Sequence, residues 1–321
     1  MKRISTLLLL SATIGVAHAQ TPLNLYGREA SGTVGVVAAA RPEAAQVGVS
    51  ILKKGGNAVD AAVATAFMLG VVEPANSGLG GGGFMLVKLA NQKEPVVVDF
   101  REVAPAASTP DMFQFGSDGK VVNEANAVGG LASGVPGEVA GLLYALEKFG
   151  SKKVSRTDVI QPAINTARNG VPVTANFSSY ITAELKKINK FPAAAKIYTN
   201  GGLPLEVGDT LKNPELAATL ELVAKQGRDG FYKGDIAKKI VAASQETGGI
   251  ITEADLAAYQ PKIRKPVSGT YRGYTVTSLP PPSSGGTHII QILNILENFD
   301  MAKMGIGTPA TLHVWSEALR L

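Results

Sequence analysis

Residues 55–87 decide the fold of this chain, and they read GGNAVDAAVATAFMLGVVEPANSGLGGGGFMLV. Asn57 followed three residues later by Asp60 is typical of a helix start, and the apolar run after it continues to about Leu69. Because small and apolar residues cover this segment on nearly every side, it predicts a helix that is buried on most of its surface. Such a helix needs other layers packed over it, so we expect a layered core.

The segments that follow this helix alternate between strand and helix patterns. Residues 84–89 and 96–101 are rich in β-forming side chains and flank a polar segment at 91–94, which predicts a hairpin. Capping residues, prolines and apolar spacing predict several further helices, and one more strand region is expected at 267–278. The predicted helices span residues 42–54, 136–149, 155–169, 213–226, 235–246, 285–299 and 309–320, with a short one after Thr252. We therefore expect a mixed α/β body in one domain.

The first nineteen residues have the pattern of a secretory signal peptide. A basic start at residues 1–3 precedes an apolar run at 4–16, which closes on the small-x-small sequence that ends at Ala19. The run is shorter than the roughly 20 apolar residues of a membrane-spanning helix. We expect removal of residues 1–19, a mature chain from near Gln20, a periplasmic or secreted location and no stable membrane anchor.

Composition argues against several classes of function. The chain has no cysteine, so thiol chemistry is excluded, and its 321 residues are enough to bury a core without disulfides. Its three histidines lack the close spacing to other ligands that a metal site needs. The net charge of +5 comes from interleaved basic and acidic residues, with no basic stripe for nucleic acid. Neither a metal, a cofactor nor a nucleic-acid partner is expected.

The glycine run Gly80–Gly83 implies backbone conformations or close approaches that side chains would block. A phosphate-binding loop is one interpretation. It is disfavoured because the run leads from helix to strand, no Gly-Lys-Ser/Thr follows, and no helix N-terminus is expected to point into it. The alternative is a tight turn packed against a neighbouring sheet.

Arg101 is the candidate binding residue. It ends the second predicted strand, and binding sites commonly lie at such sheet ends. A guanidinium group there offers a planar fork that binds a carboxylate at two points. The alternative is an internal ion pair with Asp99 or Glu102, and the residue pattern alone leaves both interpretations open.

A third candidate segment is residues 278–286, SLPPPSSGG, which feeds a predicted helix. Ser283 or Ser284 is expected to cap that helix. As a nucleophile either serine would need a base, and only His288 is near in sequence.

Several longer strings carry a family resemblance. Residues 55–87, VVDFREVAP (97–105) and YRGYTVTSLPPPSSGGTHIIQILNILENFD (271–300) closely resemble the γ-glutamyltranspeptidases, also called glutathione hydrolases. GLASGVPGEVAGL and FYKGDIAKKI, which are shorter, resemble the same family. The similarity runs in one order from about Gly35 to Leu321, so it covers nearly all of the predicted mature chain.

The resemblance implies a fold and a mechanism. Members of the family have the α/β (α+β) N-terminal-nucleophile architecture, an αββα four-layer sandwich, which would be incomplete in this chain. Their precursor cuts itself before a threonine that heads the small subunit. The threonine hydroxyl attacks the γ-glutamyl carbonyl, its own α-amine can serve as the base, and water or an amine then takes the acyl group.

The resemblance also assigns roles along the chain. Residues 20–321 would be the N-terminal, large-subunit part, truncated before the catalytic threonine, which is expected beyond Leu321; no catalytic residue is expected in this chain. Arg101 matches the family arginine that holds the substrate α-carboxylate. The implied partners are the small subunit of a heterodimer and γ-glutamyl compounds such as glutathione.

Three alternatives accompany this interpretation. A related cephalosporin or glutaryl acylase would use the same fold on another amide, and a non-catalytic periplasmic binding protein would need no nucleophile. Thr21 would become an N-terminal threonine if the leader were cut one residue later. It is rejected as a nucleophile because Pro22 and a polar leader follow it, in place of a strand.

Overall fold

The computed structural model describes residues 29–321. The predicted signal peptide, the Gln20 start and Thr21 lie outside these residues. The chain divides into two units, Met1–Val36 and Val37–Leu321. Residues 29–36 of the first unit contain no helix or strand, and every element below belongs to the second.

The second unit is mixed α/β, as the sequence predicts. Its helices are α1 (Pro42–Lys53), α2 (Ala58–Val72), α3 (Glu138–Phe149), α4 (Arg156–Asn169), α5 (Ala175–Ile188), α6 (Pro192–Tyr198), α7 (Pro214–Gln226), α8 (Asp229–Tyr232), α9 (Gly234–Glu246), α10 (Glu253–Ala258), α11 (Gly285–Leu296), α12 (Met301–Met304) and α13 (Pro309–Arg320). Its strands are β1 (Phe84–Val87), β2 (Val96–Asp99), β3 (Val171–Pro172), β4 (Thr199–Asn200), β5 (Leu203–Pro204), β6 (Thr210–Leu211), β7 (Lys262–Arg264), β8 (Val267–Tyr271) and β9 (Tyr274–Ser278).

Helix α2 is the centre of the core. Asn57 caps it, accepting hydrogen bonds from the backbone of Val59 and Asp60, while the Asp60 carboxylate accepts from the backbone of Asn57. Eleven of its fifteen residues are buried, so the prediction of a helix covered on most sides is confirmed. It packs against α1, α3 and α4, and it runs three residues beyond the predicted end.

The main sheet has three antiparallel strands in the order β1-β2-β7. Phe84 pairs with Asp99 and Val87 with Val96, which confirms the predicted hairpin. Both strands end two residues earlier than predicted, so Arg101 lies just beyond β2. Strand β7, which the sequence did not predict, adds to the other edge of β2 with Asp99 opposite Lys262. Helix α3 packs against β1 and β2 and thereby positions its N-terminus at this sheet end.

The other predicted elements agree with the structure within a few residues. Capping boxes start α4 at Ser155 and α10 at Thr252, as expected. The strand region at 267–278 is a hairpin of β8 and β9 that turns at residues 272–273. Helices α5 and α6 were not predicted; α5 buries only Phe177 and Ile181, and α6 buries no residue.

The C-terminal elements leave apolar side chains uncovered. Helix α11 packs on the β8–β9 hairpin and against α13. Ile289 on α11 and Leu312, Trp315 and Leu319 on α13 are exposed. Among the described residues, no helix combines the length and the apolar character needed to cross a membrane.

Candidate substrate-binding site

The backbone of Arg101 is fixed on both sides of the residue. Its N–H donates to Asp99 Oδ1 at 3.0 Å, and its carbonyl oxygen accepts from the Tyr259 hydroxyl at 2.9 Å. Asp99 is 5% exposed and is itself held by Arg264, whose Nε lies 2.6 Å from Asp99 Oδ2. The residue therefore projects from a rigid support at the end of β2.

The Arg101 side chain, in contrast, is largely free. It is 55% exposed, and its Nε lies 3.2 Å from Glu102 Oε2. The predicted alternative of an ion pair with Asp99 is wrong, because the Asp99 carboxylate is taken by Arg264; the alternative pair with Glu102 is present. An exposed pair of this kind contributes only about 0 to 1 kcal/mol. The guanidinium thus keeps most of its binding capacity for another anion.

The glycine run packs against this same sheet end. Gly83 and Phe100 exchange two backbone hydrogen bonds, of 3.3 and 2.9 Å. A methyl group on Gly82 would overlap the Phe100 carbonyl oxygen, so only glycine allows this approach. The interpretation of the run as a tight packing turn is confirmed, but the run packs against its own sheet and not against a neighbouring one.

One expectation about the run is wrong. The N-terminus of α3 does point at it: the backbone N–H groups of Gly137 and Glu138 donate to the Gly81 carbonyl oxygen at 2.8 and 3.0 Å. No local pattern predicts this contact, which joins segments more than fifty residues apart. These donors are used within the protein and not for an anion, so the phosphate-loop interpretation remains disfavoured.

A cleft of about 440 Å³ lies between the glycine run and the N-terminus of α3. Residues 74–82 contribute most of its wall, and Glu102 and Glu138 supply its two carboxylates. Burial and, second, the charge of Glu102 raise the pKa of Glu138 to about 7. Glu102 also pairs with Arg101, so a cation, two carboxylates and an open cavity meet at the end of β2.

The raised pKa of Glu138 predicts a pH-dependent stability. Between pH 4.5 and about 7 the folded protein holds a proton that the unfolded chain has lost, so the free energy of unfolding falls as pH rises through this window. Glu138→Gln removes the titrating group. The loss in the free energy of unfolding across this pH window should therefore be smaller in the variant, by on the order of 1 to 3 kcal/mol. Urea unfolding of the complete protein at about pH 5 and about pH 8 measures it.

Glu147→Gln is the matched control, since Glu147 lies on the same helix with a largely exposed side chain. It should lose as much stability over this pH range as the unmodified protein. Equal pH dependence in the Glu138→Gln variant and the unmodified protein would show that Glu138 is not the group responsible.

A larger cavity of about 880 Å³ lies between α7 and α9. Aliphatic and aromatic side chains such as Leu216, Ile236 and Phe231 dominate its walls, and no arginine is among the described residues that line it. No arginine is among the described residues that line the smaller cleft either, but Glu102 in its wall is the ion-pair partner of Arg101, so the smaller cleft is the better candidate.

The serine segment has no catalytic arrangement among the described residues. Ser283 Oγ accepts a hydrogen bond from the backbone of Gly285 at 3.3 Å, and Ser284 precedes α11 without a side-chain cap. The capping prediction is therefore met only by the weak Ser283 contact. No side-chain hydrogen bond joins either serine to His288 in the described part of the chain.

Sequence reasoning did not single out Glu138 or Tyr259. Glu138 lies in the string GLASGVPGEVAGL, which carried the resemblance without an assigned role. Tyr259 is 158 residues from Arg101 along the chain and follows a short helix, so no local pattern connects the two.

Comparison with solved structures places this fold in a known class. The γ-glutamyltranspeptidase of Helicobacter pylori matches with a TM-score of 0.86 and 42% identity over 91% of this chain and 83% of that one. A cephalosporin acylase of Bacillus halodurans matches with a TM-score of 0.78 and 28% identity over 92% and 55% of the two chains. The fold is that of the transpeptidases and related N-terminal-nucleophile acylases, which confirms the predicted fold class.

The sequence comparisons narrow this class to one family. Residues 44–321 match the family model described as γ-glutamyltranspeptidase. The glutathione hydrolase proenzyme of Escherichia coli K12 is 47% identical over 285 residues, which are 88% of this chain and 48% of that protein. The chain therefore belongs to the γ-glutamyltranspeptidase family. It spans about half the length of the curated relatives that it matches.

Proposed function

We propose that the protein to which this chain belongs transfers and hydrolyses γ-glutamyl groups, with glutathione and other γ-glutamyl compounds as donors. The reaction would pass through a γ-glutamyl-threonine acyl-enzyme. Residues 20–321 would supply the large subunit, and Arg101 would bind the donor α-carboxylate. The observation that carries the proposal is the exposed Arg101 guanidinium on a rigid backbone beside a cleft, in a chain of this family.

Arg101 would bind and orient the donor. A γ-glutamyl group carries a free α-carboxylate at the end opposite the scissile amide, and a two-point guanidinium contact fixes both its position and its rotation. Holding the donor in one orientation places its carbonyl in line with the nucleophile and removes part of the entropic barrier. Glu102, beside Nε, would keep the fork oriented while the other guanidinium nitrogens remain free.

The nucleophile and the general base would come from the part of the protein that lies outside these residues. The relatives matched here include proteins named as proenzymes, which supports a processed enzyme with a small-subunit partner. The leader pattern of residues 1–19 supports a periplasmic or secreted location.

The rival activity is that of a related acylase. The similarity to the Bacillus halodurans cephalosporin acylase supports this alternative, at a lower identity than the similarity to the transpeptidases. The family assignment favours an enzyme over a non-catalytic binding protein.

A substrate comparison tests the proposal. The full-length precursor is expected to cleave itself and then to release aniline from a γ-glutamyl anilide faster than from a glutaryl anilide, which has the same chain without the α-amine. Mass spectrometry of the quenched reaction should find a γ-glutamyl group on a threonine. Faster turnover of the glutaryl compound would favour the acylase, and turnover of neither would overturn the proposal.

A further inference from the structure

We propose that Tyr259 is a positioning residue that holds the Arg101 peptide, and through it the guanidinium, in the orientation that binds the donor. The inference rests on the proposed function, since it concerns the same carboxylate site. It assigns a role to a buried tyrosine far from Arg101 in sequence.

The contact between the two residues is direct. The Tyr259 hydroxyl donates to the Arg101 carbonyl oxygen at 2.9 Å, and the tyrosine is 4% exposed. Gly137 makes room for it, because a methyl group there would overlap both the Tyr259 hydroxyl and the Phe100 carbonyl. Burial and then the charges of Asp99, Glu102 and Glu138 raise the pKa of Tyr259, so its hydroxyl stays protonated and able to donate.

Tyr259 is itself rigidly held. Its ring stacks on that of Tyr232, with centroids 5.9 Å apart and an angle of 7° between planes. Tyr232 is fully buried, and it is its ring, which a phenylalanine would keep, that supports Tyr259. Arg228 lies over the Tyr232 ring at 4.7 Å and donates to the Tyr259 carbonyl at 2.6 Å. The hydroxyl that meets Arg101 therefore belongs to a fixed group.

Arg101 needs such a support because the sheet ends before it. On one edge, β2 pairs with β7 as far as Asp99, which lies opposite Lys262. On the other edge, the pairing with β1 ends at the two backbone hydrogen bonds between Phe100 and Gly83. Among the described residues, Tyr259 is the donor to the Arg101 carbonyl. Without it the peptide can rotate, and a long side chain amplifies a small rotation at its tip. Displacements of about 1 Å at a binding group are enough to change rates strongly.

Tyr259→Phe in the full-length precursor removes the hydroxyl and keeps the stacked ring. We expect it to raise KM for a γ-glutamyl anilide by about threefold to tenfold with little change in kcat, as for the loss of one hydrogen bond that supports ground-state binding. In an Arg101→Ala background the same change should alter KM by less than about twofold, because the side chain it positions is gone.

Tyr232→Phe is the matched control. It removes a hydroxyl from the same stack, but one that bonds to Pro136 and Ala140 and not to Arg101. It should leave KM within about twofold of the unmodified enzyme. Self-cleavage and the urea midpoint are measured for every variant, so kinetic values come from mature, folded enzyme.

Four outcomes would overturn the inference. The first is that Arg101→Ala raises KM but Tyr259→Phe leaves it unchanged. The second is that Tyr259→Phe raises KM by the same factor in the wild-type and the Arg101→Ala backgrounds. A rise in Tyr232→Phe as large as in Tyr259→Phe would indicate a general packing effect. If Arg101→Ala itself leaves KM unchanged, the proposed carboxylate site fails first, and the inference fails with it.

Discussion

Arg101→Ala in the complete enzyme is expected to reduce kcat/KM for γ-glutamyl donors by roughly tenfold to a hundredfold or more. The variant leaves the donor α-carboxylate without its charged, two-point partner, and a charge that stays unpaired in a partly dry pocket adds to the loss. If the contact is equal in the ground and transition states, most of the effect is in KM. Steady-state kinetics with a γ-glutamyl anilide measure it.

Arg101→Lys should rescue part of this loss, because lysine keeps the charge and loses the fork. Self-cleavage should largely survive in both variants, since it involves the chain's own peptide bond and no donor carboxylate. Arg168→Ala is the matched control: Arg168 is also half exposed and paired with one glutamate, Glu221, on the protein surface. Normal maturation of Arg101→Ala together with an unchanged donor KM would identify Arg101 as a residue of an internal ion pair.

Residues 1–321 expressed alone are expected to have no γ-glutamyl transfer or hydrolase activity and to be poorly stable. Under the proposed function the nucleophile would lie outside this chain, which spans about half the length of the relatives that it matches. Exposed apolar side chains at Ile289, Leu312, Trp315 and Leu319 should also favour aggregation in the absence of a partner that covers them.

Expression of the piece alone, of the full-length precursor and of the piece together with the remainder tests this expectation. Turnover of a γ-glutamyl anilide should appear in the second preparation and, if the two parts assemble, in the third. Robust turnover by the piece alone would contradict the proposed division of the enzyme.

Local signals predicted much of the fold. Asn57 with Asp60, Ser155 with Asp158 and Pro42 mark helix starts through hydrogen bonds and backbone angles that involve only neighbouring residues, and all three helices begin where expected. The hairpin of β1 and β2 was likewise predicted from two β-rich runs that flank a polar turn.

Long-range contacts could not be predicted in this way. Strand β7 has the sequence Lys-Ile-Arg, which has no strand pattern of its own, and it becomes a strand because β2 offers an open edge. The pairing of Asp99 with Arg264 and the contact of Tyr259 with Arg101 join residues more than 150 positions apart. The sequence singled out Arg101, and the structure adds the groups that hold it.

The most direct test of the central claim varies the donor together with the protein. Wild-type enzyme and Arg101→Ala are each assayed with a γ-glutamyl anilide and with the same compound carrying an α-carboxamide in place of the α-carboxylate. We expect the wild type to prefer the carboxylate by about tenfold or more in kcat/KM, and the alanine variant to lose nearly all of that preference. An equal preference for the carboxylate in both proteins would show that Arg101 does not bind it.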